Sequence, residues 1–512
     1  AACRLCDFIR HCRILFINHR IGYRLGRSIA WGWTLRLDLC NFSLHQVDRH
    51  TWIPLSGHLS LVTRSRSIIQ ERGTSPTNTD AARKTWNDTT GFVVLCCAVV
   101  DSVSSRLSFL FLSATFAIVS SGCVTPQAQK MLNPDPASIQ TSDRDVQLVL
   151  STPVGTSLVD PGLITTQAAW IQLISRATRT IDWAGFYVAS AAGESLEPVL
   201  QELSRAAARG VRVRFLLDKQ MSGNDPQTLR FLERLPGAVV RLLDFNLIAT
   251  GSHHAKYFVI DNQEVFIGSQ NFDWRSLSHI HELGVRIGNP HIAGQLAFLF
   301  DMDFALARDR NDTLESNPPV LPRGPAVAIE VGVSPPQLAP DGIRPALPVL
   351  LEVIRSAKKE LCIQLLRYSA HQGSETWDTL QEALLQAAAR GVQIQLLISN
   401  WNTQLPEIGD LKVLIRHPNV AVRIASIPEV TGRFIPYARV IHSKYVVADE
   451  QTLWLGTTNW ERGMFMASRN VDVVLRRVAI AKQAHGVFSK LWNSAYSVPL
   501  DVNKEYVPPR IR

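Results

Sequence analysis

His254-Ala255-Lys256-Tyr257-Phe258-Val259-Ile260-Asp261, followed by Gly268-Ser269-Gln270-Asn271, is the stretch that decides the fold. It recurs as His442-Ser443-Lys444-Tyr445-Val446-Val447-Ala448-Asp449, followed by Gly456-Thr457-Thr458-Asn459. The spacing is the same in both copies. The apolar runs YFVI and YVVA predict short buried strands, DNQE and DEQT predict hairpin turns, and EVFIG and TLWLG predict the returning strands. Side chains two apart on a strand share a face, so His254 and Lys256 point together, as do His442 and Lys444. A glycine at the end of each returning strand is expected to let the backbone approach a ligand. A lone hairpin with a surface His and Lys is unremarkable, but the whole pattern twice is not.

The surrounding chain repeats too. DVQLVLSTP (145–153) matches AVAIEVGVSP (326–335), and AAARGVRVRFLL (206–217) matches AAARGVQIQLLI (387–398). In the second pair an Ala-rich helix ends at a glycine and a buried strand follows at once. The glycines are offset by 181 residues and the histidines by 188, which points to internal duplication. Strands alternating with helices predict an α/β sandwich with a mixed or parallel sheet in each half. The expected halves are residues 145–316 and 326–500, joined by a Pro-rich segment at 317–325 and followed by a tail at 501–512. Each half supplies one His-x-Lys, so the site is expected on a pseudo-twofold interface between them.

The paired motifs resemble the HKD motifs of the phospholipase D superfamily of phosphodiesterases. The resemblance covers roughly residues 145–500. It implies that one histidine attacks phosphorus to form a phosphohistidine while the other protonates the leaving alcohol and then activates water or an acceptor alcohol. It assigns His254, Lys256 and Asp261 with His442, Lys444 and Asp449 to the catalytic motifs, with His254 as nucleophile by analogy. Both aspartates read as stabilising the turn. Lys256, Lys444, Asn271 and Asn459 are expected to clamp the phosphate, with Ser269 and Thr457 as supporting donors. No metal or other cofactor is needed, because lysines and amides can neutralise the equatorial oxygens. The family keeps an acidic residue downstream to orient each histidine, and Glu282 and Asp472 are the candidates. Trp274, Trp460 and Phe465 follow the motifs and are candidates for an apolar or base-stacking rim, or for core. His253, His279 and His281 are discounted as neighbours.

Asn271-Phe272-Asp273-Trp274-Arg275-Ser276-Leu277 with Glu282–Val285 is similar to the branch of lysosomal phospholipase D-like 5′ exonucleases, as is Gly456–Trp460. The second copy keeps Asp449 where that branch often does not. The resemblance implies a phospholipid or a single-stranded nucleic acid as substrate. A cardiolipin synthase-type phosphatidyl transferase is the alternative, and a catalytically silent phosphate-binding protein is the reading from another class.

The formal charge of +9 gives no argument for a polyanionic partner, because residues 1–122 hold 14 Lys/Arg against 7 Asp/Glu and leave only +2 for the rest. Residues 1–102 have no regular period and carry six of the eight cysteines, and read as an unrelated extension or as upstream sequence. Residues 103–123 run from Val103 and Arg106 through an apolar stretch to Ser120-Ser121-Gly122-Cys123, the form of a secretory signal. Cys123 resembles a lipobox cysteine, although Ser120 stands where leucine is usual. A plain signal or a membrane anchor are the alternatives. Residues 124–144 read as a tether. These features predict a bacterial envelope protein, periplasmic and lipid-anchored to a membrane surface. Cys362, alone past Cys123, is expected in the core.

Overall fold

The computed structural model describes residues 21–25, 28–32, 145–307 and 328–512. The expected signal segment with Cys123, the tether and the 317–325 joint lie outside the described residues. Of residues 1–102 only Ile21–Leu25 and Ser28–Gly32 are described, as an antiparallel pair. The remainder of the description concerns residues 145–512.

Each half is built on one mixed sheet. In the first, β1 (Val146–Ser151), β2 (Thr180–Gly185), β3 (Arg212–Asp218), β4 (Val239–Leu243), β5 (Tyr257–Ile260), β6 (Glu264–Gly268) and β7 (Glu282–Ile287) lie in the order β1-β7-β6-β5-β2-β3-β4. In the second, β8 (Ile329–Ser334), β9 (Glu360–Leu365), β10 (Gln393–Ser399), β11 (Val420–Ala425), β12 (Tyr445–Ala448), β13 (Thr452–Gly456) and β14 (Asn470–Leu475) repeat that order as β8-β14-β13-β12-β9-β10-β11. Two-residue strands extend one edge of each sheet, and Ser497–Pro499 adds to the far edge of the second. The duplication read from the sequence is thus a duplication of topology.

The hairpins form as expected. Phe258 pairs with Phe266, and Val446 with Trp454. Alternate residues of β5 serve two cores: Tyr257 and Val259 face the core shared by both halves, and Phe258 and Ile260 face the outer core of the first half. Helices α1 (Thr166–Arg176), α2 (Glu197–Ala208) and α3 (Pro226–Glu233) close that outer core around Trp170, which lies edge-on to Trp183, Phe258, Phe266 and Phe272. Helices α5 (Ala346–Ser356), α6 (Thr379–Ala389) and α7 (Glu407–Leu414) do the same for the second half. Between the sheets, α4 (Pro290–Leu306) and α8 (Val478–Trp492) join inward-facing strand residues of both halves in one continuous core. The layers are therefore helix, sheet, shared core, sheet, helix. Gly210 and Gly391, past the Ala-rich helices, have φ of 87° and 94°, the left-handed turn that starts the next strand directly. No helix among the described residues is long and apolar enough to cross a membrane.

Candidate active site

The chain before each HxK strand does not stay with its own half. His254 N–H donates to Arg469 O and Arg469 N–H to Ser252 O, both at 2.9 Å, where the second half enters β14. In the mirror arrangement, His281 N–H donates to Val440 O and His442 N–H to His281 O, both at 2.9 Å, where the first half enters β7. Each histidine is consequently delivered to the strand of the opposite half, and the two motifs meet on the pseudo-twofold.

The orienting partners follow from this exchange. His442 Nδ1 lies 2.9 Å from Glu282 Oε2, whose other oxygen accepts from Ser276 Oγ at 3.0 Å. His254 Nδ1 lies 2.9 Å from Asn470 Oδ1. The Asn470 amide donates through Nδ2 to Met464 O at 2.9 Å, so its oxygen faces the imidazole and His254 Nδ1 must carry the proton. In the neutral imidazole the lone pair is then on Nε2.

Asp472 is a correction. It reaches neither histidine, but accepts from Thr457 N, Thr458 N and Thr458 Oγ1 at 3.0, 3.3 and 2.9 Å. Burial raises its carboxyl to about 7 against those donors. The residue in the orienting position is Asn470, which the sequence reading missed. The signal was present: Glu282 follows His254 by 28 residues, and Asn470 follows His442 by 28. Asking for an acid at that place selected Asp472, two residues on.

Ser269 and Thr457 also differ from expectation. Thr457 Oγ1 donates to Asn470 Oδ1 at 2.9 Å, and Ser269 hydrogen-bonds Glu282. They hold the residues that orient the histidines instead of facing a ligand. The glycines Gly268 and Gly456 make room for the neighbouring strand and not for a ligand: a Cβ on Gly456 would lie 2.0 Å from Asp472 Oδ1. Asp261 and Asp449 stand at the opposite ends of the four-residue strands from the histidines. Asp261 accepts backbone N–H from Thr178, Arg179 and Thr180 at 2.7–2.8 Å, and Asp449 from Lys358, Lys359 and Glu360 at 2.8–3.0 Å. Both have φ of 54°. They tie the hairpin turn to the start of β2 or β9, as their structural reading expected.

The site itself is cationic and enclosed. His254, Lys256, His442 and Lys444 are all buried. Each Lys Nζ folds back to donate to the carbonyl of its own histidine, at 2.7 and 2.6 Å. Burial, then repulsion by Lys444, holds Lys256 well below the usual lysine range, and burial brings Lys444 to about 7 against the pull of Glu282. Burial and both lysines keep His254 well below 6.5. Burial lowers His442 as well, opposed by the Glu282 carboxylate. Glu282, although burial raises it, is held below the usual carboxylate range by His442 and Lys444. Asn271 and Asn459 are buried with amide oxygens that have no hydrogen-bond partner, and Phe186 lies 4.8 Å edge-on to His254 with Lys256 Nζ 4.9 Å from its ring centre. Trp460 and Phe465 are buried core, whereas Trp274 is half-buried between Arg275 and Arg433 at 5.9 and 5.6 Å. His253 and His281 are buried, His253 beside Asp303 at 3.9 Å and His281 against Gln364.

A second unanticipated residue is Arg469. Its buried guanidinium is held by both oxygens of Asp303 at 2.8 Å and by Ser334 O at 2.9 Å. It pins the segment that carries Asn470.

Residues 170–304 and 350–492 match the family model described as "Cardiolipin synthase, PLD-like domain". The 5'-3' exonuclease PLD3 of Bos taurus is 30% identical over 383 residues, covering 67% of this chain and 77% of the relative. Phospholipase D Z of Dictyostelium discoideum is 29% identical over 428 residues, covering 77% and 99%. Among solved structures, the phosphatidylserine synthase of Haemophilus influenzae matches with a TM-score of 0.49 at 14% identity, covering 65% of this chain and 85% of that one. With the family model matching more than half of its length in two repeats, the chain belongs to the phospholipase D superfamily.

Proposed function

We propose that this chain is a phosphodiester hydrolase in which His254 is the nucleophile and His442 the general acid and base. The observation that carries the reading is the unequal pairing of the two histidines. An amide oxygen can only accept from His254, so Nδ1 carries a proton, and burial with the two lysines disfavours a second one on Nε2. A carboxylate on His442 favours its imidazolium, the form that can give a proton. His254 Nε2 attacks phosphorus, the P–O bond to the leaving group breaks, and the departing alkoxide takes the proton of His442 Nε2. Neutral His442 then takes a proton from water, whose oxygen displaces His254 from phosphorus. Lys256 and Lys444 supply positive charge to the non-bridging oxygens, and Asn271 and Asn459 supply amide donors.

The substrate class proposed is single-stranded nucleic acid. Trp274 is a half-buried indole with the guanidiniums of Arg275 and Arg433, ion-paired to Asp273 and Glu194, against its ring, a surface suited to stacking a base, and the exonuclease relatives point the same way. Phospholipid is the second reading, favoured by the match over 99% of phospholipase D Z. The location proposed is the periplasmic side of a bacterial envelope, resting on the leader-like residues 103–123 and Cys123. The test is incubation with EDTA against a 5′-labelled single-stranded oligonucleotide and, separately, phosphatidylglycerol vesicles, with His254→Ala alongside. Nucleotide release lost in the variant is expected. Headgroup release instead gives the phospholipase reading, cardiolipin formation gives the transferase, and turnover of neither contradicts the proposal.

A further inference from the structure

A second cluster of metal-ligating side chains lies at the far end of the second half. Glu360 and Cys362 on β9 and His485 on α8 bring one donor atom each to within 4.8 Å of one another. Glu450, on the turn after β12, lies 3.2 Å from His485 Nδ1, and Glu360 lies 3.7 Å from His485 Nε2. A cavity of about 520 Å³ opens beside them, lined by Glu360, Gln395, Asn419 and Glu450 among others. Lys359 also lines it but stands beside Asp449, which its charge stabilises.

The first half shows what occupies the equivalent place. Strand register equates Asp182 with Cys362 and Arg214 with Gln395, since Asp182 pairs with Arg214 as Cys362 pairs with Gln395. In the first half Arg214 bridges Asp182 and Asp301 at 2.6 and 2.7 Å. A built-in cation there compensates two carboxylates. In the second half glutamine replaces that arginine, a thiol replaces Asp182, and Glu360, Glu450 and His485 stand where the first half has Thr180, Asn262 and Ala297. The donors have increased and the arginine has gone.

We propose that Glu360, Cys362 and His485 bind a divalent transition-metal ion, of which Zn²⁺ fits the donor set best, while Glu450 holds the imidazole of His485 from its Nδ1 side. One thiolate, one imidazole and one carboxylate are borderline ligands that suit Zn²⁺ and exclude Ca²⁺ or Mg²⁺, which take oxygen alone. Tetrahedral bonds of about 2.0–2.3 Å place donors roughly 3.3–3.8 Å apart, so closing from 4.8 Å needs about 1 Å of movement. Glu360 and His485 are each partly exposed and have the freedom to supply it. A bound divalent cation takes the place of the Cys362 thiol proton. The site is structural: it ties α8, in the core between the halves, to β9 and the β12 turn, away from the histidines.

The test uses the full chain, stripped with chelator and reloaded with Zn²⁺ or Co²⁺. Seven other cysteines can also take metal, so the reading is a difference between proteins. Wild type is expected to hold one Zn²⁺ more per chain than Cys362→Ser or His485→Gln. The double variant should hold no less than either single one. Co²⁺ should give a thiolate-to-cobalt charge-transfer band that Cys362→Ser removes, and Zn²⁺ should raise the Tm of wild type above that of the stripped protein and leave the variants unmoved. Equal metal content in wild type and both variants, or a charge-transfer band that survives Cys362→Ser, overturns the proposal. His485 is partly exposed, so His485→Gln keeps the test readable if Cys362→Ser folds poorly.

Discussion

Glu282 Oε2 lies 2.9 Å from His442 Nδ1, although the two residues are 160 positions apart and belong to different repeats. His254 makes the matching contact in the other direction, with Asn470. The active site is thus a product of exchange between halves, and neither repeat carries a complete one. Because one partner is a carboxylate and the other an amide, the duplication is chemically asymmetric where it matters.

The carboxylate raises the proton affinity of His442 against the burial that lowers it. The acid form of His442 is required, so kcat/KM should fall as pH rises through its pKa. Glu282→Gln removes the raising influence and should move that falling limb to lower pH, with a loss of roughly 10²–10³-fold at neutral pH. An unshifted limb in a pH–rate profile would mean that Glu282 does not act through His442.

Asn470 and Asp472 separate position from charge. Asn470→Ala should lower kcat by about 10-fold or more with little change in KM, since His254 loses its tautomer anchor. Asp472→Asn should leave kcat/KM within about threefold. Its carboxyl is raised to about 7 in the fold, above its unfolded value, so its contribution to stability is complete at low pH and is lost as pH rises through about 7. Melting curves from pH 4 to 8 should therefore decline in wild type and decline less in Asp472→Asn.

Asp261→Ala and Asp449→Ala should each destabilise by about 1–2 kcal/mol, because three backbone N–H groups lose their acceptor at a left-handed turn. Turnover per folded molecule should be unchanged. A selective loss of kcat at unaltered Tm would return these aspartates to the catalytic machinery.

Lys444 near 7 leaves the free site short of its full charge above neutrality. An oxyanion ligand favours its ammonium form, so binding should take up a proton. Calorimetric titration with vanadate at pH 8, in buffers of different ionisation enthalpy, should show net uptake of up to about one proton. A buffer-independent enthalpy would show that Lys444 is already charged.

Much of this was legible because duplication writes the same physics twice. The HxK hairpins, the helix-ending glycines and the two α/β repeats all rest on local signals, namely strand period, turn residues and left-handed positions. The exchange between halves was not legible. It arises from backbone pairing of Ser252–His254 with Arg469 and of His281 with Val440–His442, contacts more than 150 residues apart that leave no periodic trace. Asp472 is the residue that the family resemblance points to, because it implies an acid behind each histidine, whereas the structure has the Asn470 amide at His254. Of the two readings open for Trp460 and Phe465, rim or core, the structure takes core; adjacency to a motif does not determine on which side of the sheet a residue lies.

The most direct test of the account is a quenched-flow measurement with a phosphodiester bearing a p-nitrophenol leaving group, which needs little protonation to depart. His442→Asn should still release a stoichiometric burst and accumulate an acid-labile phosphoryl adduct on His254, while His254→Asn should give neither. A burst and adduct in His254→Asn, with none in His442→Asn, would reverse the two roles and contradict the assignment drawn from Glu282 and Asn470.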